Sequence, residues 1–164
     1  MNEPIIRLIE AKDNATVKSL VQTTLAEFGL FGEGYAGVDP ELNDMYAAYS
    51  DELSAYYVVE VSGEICGVAG YAPLAGCVRG TIAELRKMYL LPKLRGQGVG
   101  QQLIELCLSE ATDCAYSAMY LETVTEMQAA QKLYVKNGFK YLEDRIGDTG
   151  HNQCGVCMMR PLHD

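Results

Sequence analysis

Six residues, Arg95-Gly96-Gln97-Gly98-Val99-Gly100, stand between Leu90-Leu91-Pro92 and the run Gln101 to Leu108, in which apolar residues recur at helical spacing. Three glycines at the start of a helix cost conformational entropy that no side chain recovers, so the chain must use a bare backbone here. A helix N-terminus exposes unpaired N–H groups and a partial positive charge, and it binds phosphate where no Cβ holds the ligand away. Gly96, Gly98 and Gly100 remove that obstruction. Arg95 adds a guanidinium that can pair with phosphate or fix the turn, and Pro92 ends the preceding strand. The implied unit is strand, anion nest, helix, with the amides of Arg95, Gly96, Gln97, Gly98, Val99 and Gly100 as the binding group. Glycine-rich turns also serve close helix packing, so the motif alone leaves both uses open.

A chain of 164 residues with 49% apolar content is expected to form one domain, residues 1–164, around a proper core. Its formal charge of −9 disfavours nucleic acid and anionic membrane as partners and suits a cationic or neutral small substrate. Glu3, Arg7 and Glu10 interrupt any apolar run near the start, and the uncharged stretch 65–78 is broken by Gly67, Gly70, Pro73 and Gly76. Neither a secretory nor a membrane-spanning segment is expected, which points to the cytoplasm. The six cysteines form no regular framework, and they are expected to be free thiols.

The pattern predicts a strand over 5–9, then a helix capped by Asn14 and carrying Val17, Leu20, Val21, Leu25 and Phe28. Residues 29–40 hold four glycines and read as a binding loop or a connector. Asp39-Pro40-Glu41 supplies a cap and an N1 proline for a short helix through Tyr49. Strands follow over 55–61, 65–71 and 81–91, the first two joined by a hairpin at Ser62-Gly63. A helix is expected from Gly98 to Asp113, a strand over 119–123, a helix over 128–136 stopped by Asn137-Gly138, and strands over 139–146 and 153–160.

A Walker loop is excluded because Gly100 is followed by Gln101-Gln102, where that loop needs Lys and then Ser or Thr. The dinucleotide fingerprint GxGxxG fits poorly: the glycines run GxGxG, and the strand Ala83-Glu84-Leu85-Arg86-Lys87 is too charged for the buried first strand of such a unit. Glu122 is the one feature that could pass for its ribose-binding acid. The remaining pattern, Arg or Gln, two residues, Gly, one residue, Gly or Ala, is met by Arg95, Gly98 and Gly100. Downstream, Leu121-Glu122-Thr123, Met127, Ala129-Ala130, Leu133-Tyr134 and Asn137-Gly138-Phe139 make a second match at suitable separation. On these residues the chain resembles the GNAT superfamily of acyl-CoA-dependent N-acetyltransferases along nearly its whole length.

The resemblance implies an α+β fold: a mixed, mostly antiparallel central sheet of about six or seven strands, helices on both faces, and splayed strands 4 and 5. It implies acetyl-CoA as co-substrate, its pyrophosphate on residues 95–100 and its pantetheine arm paired with the strand Met88-Tyr89-Leu90. It also implies acetyl transfer to a primary amine of a small molecule or a protein by direct attack in a ternary complex. Such transfer needs a held donor, a neutral amine, a stabilised oxyanion and a proton for the leaving thiolate. Glu84, four residues before Met88 on the same strand, is the candidate general base, or else an ion-pair partner of Arg86 or Lys87. Tyr134 matches the family tyrosine that approaches the sulfur, and its phenol is protonated at neutral pH, as an acid must be. Where many members carry an Asn that bonds the pantetheine arm, this chain has Met127, so a backbone carbonyl or an apolar contact takes that place. A homodimer is compatible with the family.

The tail motif His151-Asn152-Gln153-Cys154-Gly155-Val156-Cys157 has metal-ligand spacing, but on a strand Cys154 and Cys157 point to opposite faces, and no metal is expected. His151 and Cys154 can instead border the acceptor pocket. No GxSxG elbow supports a serine hydrolase. The alternative of another class is a non-catalytic acyl-CoA-binding or sensing module that keeps RGQGVG without turnover.

Overall fold

A computed structural model describes residues 2–163. Its elements are β1 (Ile5–Leu8), α1 (Asn14–Glu27), α2 (Met45–Ala48), β2 (Ala55–Val61), β3 (Glu64–Pro73), β4 (Ile82–Leu90), α3 (Val99–Asp113), β5 (Ala118–Thr123), α4 (Gln128–Lys136), β6 (Lys140–Leu142) and β7 (Val156–Pro161). The strands form a seven-stranded sheet in the order β1-β2-β3-β4-β5-β7-β6. Every neighbouring pair is antiparallel except β4 with β5. The mixed α+β architecture expected from the sequence is the one observed.

Alternation along β2 decides which helix covers which face. Tyr57, Val59 and Val61 pack with Leu103, Ile104, Cys107 and Ala111 of α3, whereas Tyr56 and Val58 pack with Val17, Leu20, Val21 and Leu25 of α1. With both faces covered, β2 is almost continuously buried, which is why it reads as an unbroken apolar run rather than an alternating one. Ser62 and Gly63 both adopt positive φ, +52° and +82°, as a two-residue hairpin turn matched to strand twist requires.

The feature that positions the site is the parting of β4 from β5. Their register covers only Ile82 with Ala118, Ala83 with Met119 and Glu84 with Tyr120. Beyond Glu84, β4 continues to follow β3, but through a bulge: Arg86 pairs with Gly70 and Tyr89 with Val68, leaving Lys87 and Met88 opposite Ala69. Lys87 sits at φ +46°, an uncommon backbone for a side chain of its kind, and its carbonyl accepts a buried hydrogen bond from the Tyr56 hydroxyl at 2.7 Å. Such a bulge bends and twists its strand, which carries the end of β4 away from β5.

Several local expectations are corrected. Asn14 is the first residue of α1 rather than its cap. Its Oδ1 instead accepts from the Tyr46 amide at 2.9 Å, and its amide donates to Asp44, which caps α2 through the Ala47 N–H at 3.1 Å. Pro40 opens a 3-10 turn, Pro40–Asn43, but the Asp39 side chain caps nothing and is used elsewhere. The strand expected over 139–146 stops at Leu142, and the one expected over 153–160 begins only at Val156. The chain between them spends its hydrogen bonds on other segments. Asp148 N–H donates to the Ala75 carbonyl at 2.7 Å and Gln153 N–H to the Gly34 carbonyl at 3.3 Å, while Arg145 closes the segment on itself by donating to the Cys154 carbonyl at 2.9 Å. Among the described residues no helix is long and apolar enough to cross a membrane.

Candidate active site

The glycines of RGQGVG divide into two roles. Gly96 and Gly98 lie at φ +75° and +82°, where an L side chain is strained, yet a Cβ on either would meet nothing within 4 Å. Gly98 is the N-cap of α3 and offers no side-chain cap, so the first amides of the helix stay available to a ligand. Gly100 differs: a Cβ there would come within 3.2 Å of Leu133 Cδ2, so its bareness lets α3 approach α4. The close-packing use left open by the motif is therefore present at Gly100, and the open space at Gly96 and Gly98 is compatible with the other. Arg95 fixes the turn. Its guanidinium makes bidentate contacts of 2.6 and 3.0 Å with Glu27 at the end of α1, donates from Nε to the Leu90 carbonyl at 3.0 Å, and stacks 5.8 Å over the Phe28 ring.

This turn opens on a groove of about 610 Å³ between β4 and α4. Met88, Tyr89, Leu90, Arg95, Gly96, Gly98, Gly100 and Met127 line it, as does Tyr134. Thr24 of α1 also lines it, and its buried Oγ1 has no hydrogen-bond partner among the described residues.

Where β4 and β5 part lies a second, smaller cavity of about 50 Å³. Glu84 from β4, Glu122 from β5 and His151 bring their polar atoms within 4.8 Å of one another there. Glu84 is 4% exposed, and its Oε1 accepts from Arg86 Nε at 2.7 Å. Burial pushes its carboxyl pKa up; Arg86 opposes the shift, and the nearby Glu122 reinforces it. The two options for Glu84, base or ion-pair partner, are thus not exclusive in this geometry. Glu122 accepts from the Tyr120 hydroxyl at 2.5 Å and from the Thr149 hydroxyl. His151 Nε2 lies 2.7 Å from Asp39 Oδ2, and the same oxygen takes Lys87 Nζ at 2.6 Å. Burial would raise the Asp39 pKa, but His151 and Lys87 outweigh it and hold the carboxyl below its usual range.

Met88, Tyr89, Met127 and Tyr134 line both the groove and the cavity, so the two spaces meet at these four side chains. Tyr134 is 6% exposed, packs edge-on to Phe139 with ring centroids 6.0 Å apart, and has its phenol pushed up to about 12 by burial. Its hydroxyl is therefore protonated at neutral pH. Met127 stands at the N-terminus of α4, its sulfur 3.9 Å from Thr123 Oγ1.

Two expected nest residues do not line the groove: the Gln97 side chain turns back to donate to the Lys93 carbonyl at 2.7 Å, and the Val99 side chain is buried in the core. Cys154 and Cys157 pack in different apolar clusters, so the tail spacing does not converge on a metal. The possible ligands that do converge, Glu84, Glu122 and His151, already engage Arg86, two hydroxyls and Asp39. Asp39 was not foreseen as a site residue, Lys87 is expected from the sequence only as a possible ion-pair partner of Glu84, and Glu122 only as the ribose-binding acid of a dinucleotide site.

Residues 20–139 match the model of the acetyltransferase (GNAT) family. An N-acetyltransferase of Escherichia coli K12, YjgM, described as uncharacterised, is 38% identical over 160 residues, covering 97% of this chain and 95% of the relative. Among solved structures, a GNAT-family acetyltransferase of Staphylococcus aureus Mu50 superposes with a TM-score of 0.81 at 16% identity, covering 98% of this chain and all of that one. The acetyltransferase YncA of Salmonella typhimurium, solved with acetyl-CoA, gives 0.76 at 19% identity, covering 99% and 96%.

Proposed function

The chain belongs to the acetyltransferase (GNAT) family, and from that premise we propose that it moves an acetyl group from acetyl-CoA to a primary amine by direct attack in a ternary complex. The observation that carries this proposal is the meeting of a long groove and a small acidic cavity at Met88, Tyr89, Met127 and Tyr134. A donor lying in one and an amine seated in the other approach each other only there.

The amides of residues 96–100 take the diphosphate; the Arg95 N–H, expected in the nest, instead donates to the Pro92 carbonyl at 3.2 Å, and the Arg95 side chain holds the turn in place from behind. Thr24 Oγ1, buried without a partner, is the kind of group a polar ligand atom in the groove satisfies. The pantetheine arm runs along the edge of β4 that the splay leaves unpaired, beside Met88 to Leu90. A backbone N–H of this stretch is the donor for the thioester oxygen. Glu84 accepts a proton from the incoming ammonium, directly or through water, and the burial that raises its pKa makes it a stronger base for that exchange. The amine lone pair then attacks the carbonyl carbon. The N–C bond forms, the C–S bond breaks with its electron pair passing to sulfur, Tyr134 O–H protonates the leaving thiolate, and the second proton of the nitrogen returns to the Tyr134 phenolate, directly or through water, to leave the neutral amide.

The test is a panel of primary amines assayed for acetyl-CoA-dependent release of free thiol, beside thermal melts with and without the cofactor. Thiol release together with a cofactor-induced rise in Tm is expected. A rise without release for any amine would favour the sensing module, and no rise at all would remove the nest from the site.

A further inference from the structure

The small cavity restricts what can enter it by size and by charge. About 50 Å³ is only a few times the roughly 10–15 Å³ below which not even one water fits, so there is room for a small group and not for a bulky one. Its walls come from two loops closed over the fork of β4 and β5. The loop 29–40 contributes Leu30, Tyr35 and Ala36, and the chain before β7 contributes His151 and Cys154. The loops are stitched together by Gln153 N–H on the Gly34 carbonyl and by Asp39, which joins Lys87 of the bulge to His151. They touch closely enough that a Cβ on Gly34 would fall 2.4 Å from Asn152 and Gln153 atoms.

The charges inside are arranged one-sidedly. Arg86 is engaged by Glu84 at 2.7 Å, Glu41 at 3.4 Å and the Pro73 carbonyl at 3.0 Å. Lys87 is engaged by Asp39 at 2.6 Å and Glu41 at 3.3 Å. An entering anion would find both cations already paired and would face Glu84 and Glu122, while Asp39 reaches the cavity only through its partners Lys87 and His151. An entering ammonium would find Glu84 and Glu122, the latter compensated chiefly by neutral hydroxyls, with Arg145 no nearer than 4.0 Å. Desolvating a carboxylate or phosphate next to two carboxylates, with both neighbouring cations already paired, is costly, and this cost discriminates between acceptors.

We infer that the acceptor is a compact amine without any anionic group, of the amino alcohol or short diamine class, rather than an amino acid or a lysine of a folded protein. This rests on the acetyl-transfer function proposed above and narrows its acceptor. The experiment uses matched pairs that differ only in the anionic group, alaninol against alanine and 4-aminobutanol against 4-aminobutyrate, with 1,3-diaminopropane and a lysine-containing peptide alongside. The expected result is a kcat/KM for each amino alcohol roughly tenfold or more above its acid partner, and a peptide rate below both alcohols. Asp39→Asn, which releases Lys87 from one carboxylate, should shrink the alcohol-to-acid ratio severalfold. Equal or better turnover of the acids, or of the peptide, would overturn the inference while leaving acetyl transfer intact. Thiol release from none of these or any other amine, with the cofactor-induced Tm rise retained, would instead overturn acetyl transfer and this inference with it.

Discussion

Tyr134 is held by packing at the junction of two cavities, with its hydroxyl free of protein partners among the described residues and its phenol pushed up to about 12. Tyr134→Phe keeps the ring against Phe139 and removes only the O–H, so Tm should move little. Turnover should fall by roughly 100-fold, the lower range for losing a positioned acid, while the acetyl-CoA-induced Tm rise persists. A wild-type rate would end the acid role. For Glu84 the sign follows from its environment: burial raises the pKa, and a base must be ionised to act. The rate should therefore rise with pH through a midpoint above the ordinary carboxylate range, and Glu84→Gln should lower the plateau and abolish that limb. An unchanged limb in the variant would assign the titration to another group. The placement of both side chains at the cavity was legible in the sequence, one from its spacing to Met88 and one from the family motif at Leu133-Tyr134; their roles are what these variants test. Asp39 and Lys87 were not legible in this way, because their meeting with each other and with His151 depends on contacts between segments 48 and 112 residues apart. No local pattern encodes contacts of that range.

At the scale of elements, the helix start of α3 combines two demands that a sequence motif merges. Gly98→Ala places a side chain at φ +82° with open space around it, so the cost is conformational, about 1–2 kcal/mol, and it falls on the turn that presents the amides. Tm should drop, and the stabilisation given by acetyl-CoA should shrink as well. Gly100→Leu drives bulk into Leu133 and should cost about 1–3 kcal/mol by overpacking the approach of α3 to α4. If the two variants lose cofactor stabilisation in proportion to their lost Tm alone, the separate ligand role of Gly98 is wrong. Element types were largely readable because the hydrophobic periods are long and the Ser62-Gly63 turn is chemically specific. The ends were less so. Residues 143–155 carry strand-like composition near their borders, yet they pair with the Gly34 and Ala75 carbonyls rather than with a strand partner. The bulge at Lys87 had no signal either, since it arises from the misfit of β4 against β3 and not from any residue that favours positive φ.

For the molecule as a whole, the edge strand β1 is tied to the rest by a charge network rather than by a wide apolar face, as Ile5 and Leu8 are exposed. Arg7 of β1 donates to Glu60 of β2 at 2.9 Å and to both oxygens of Asp13 at 2.8 and 3.1 Å, and Asp13 also accepts the Glu10 amide at 2.8 Å. The Arg7 hydrogen bond chiefly holds the Asp13 carboxyl below its usual value, against the opposing pull of burial. A depressed folded pKa means that the ionised carboxylate favours the folded state. Its contribution is full above the unfolded value near 4 and is lost as pH falls through the lower, folded one. Asp13→Asn should therefore lower stability at pH 7 by about 2 kcal/mol, the scale of a hydrogen bond to a charged group, and the deficit should shrink steadily below about pH 4. Denaturant melts of both proteins across that range measure it. A deficit as large at pH 3 as at pH 7 would mean that Asn fails through packing and that the charge of Asp13 is not what fastens β1. The formal charge of −9 strengthens the case for local pairing, because self-repulsion leaves a marginal edge strand little general electrostatic support and makes each buried ion pair on it count for more.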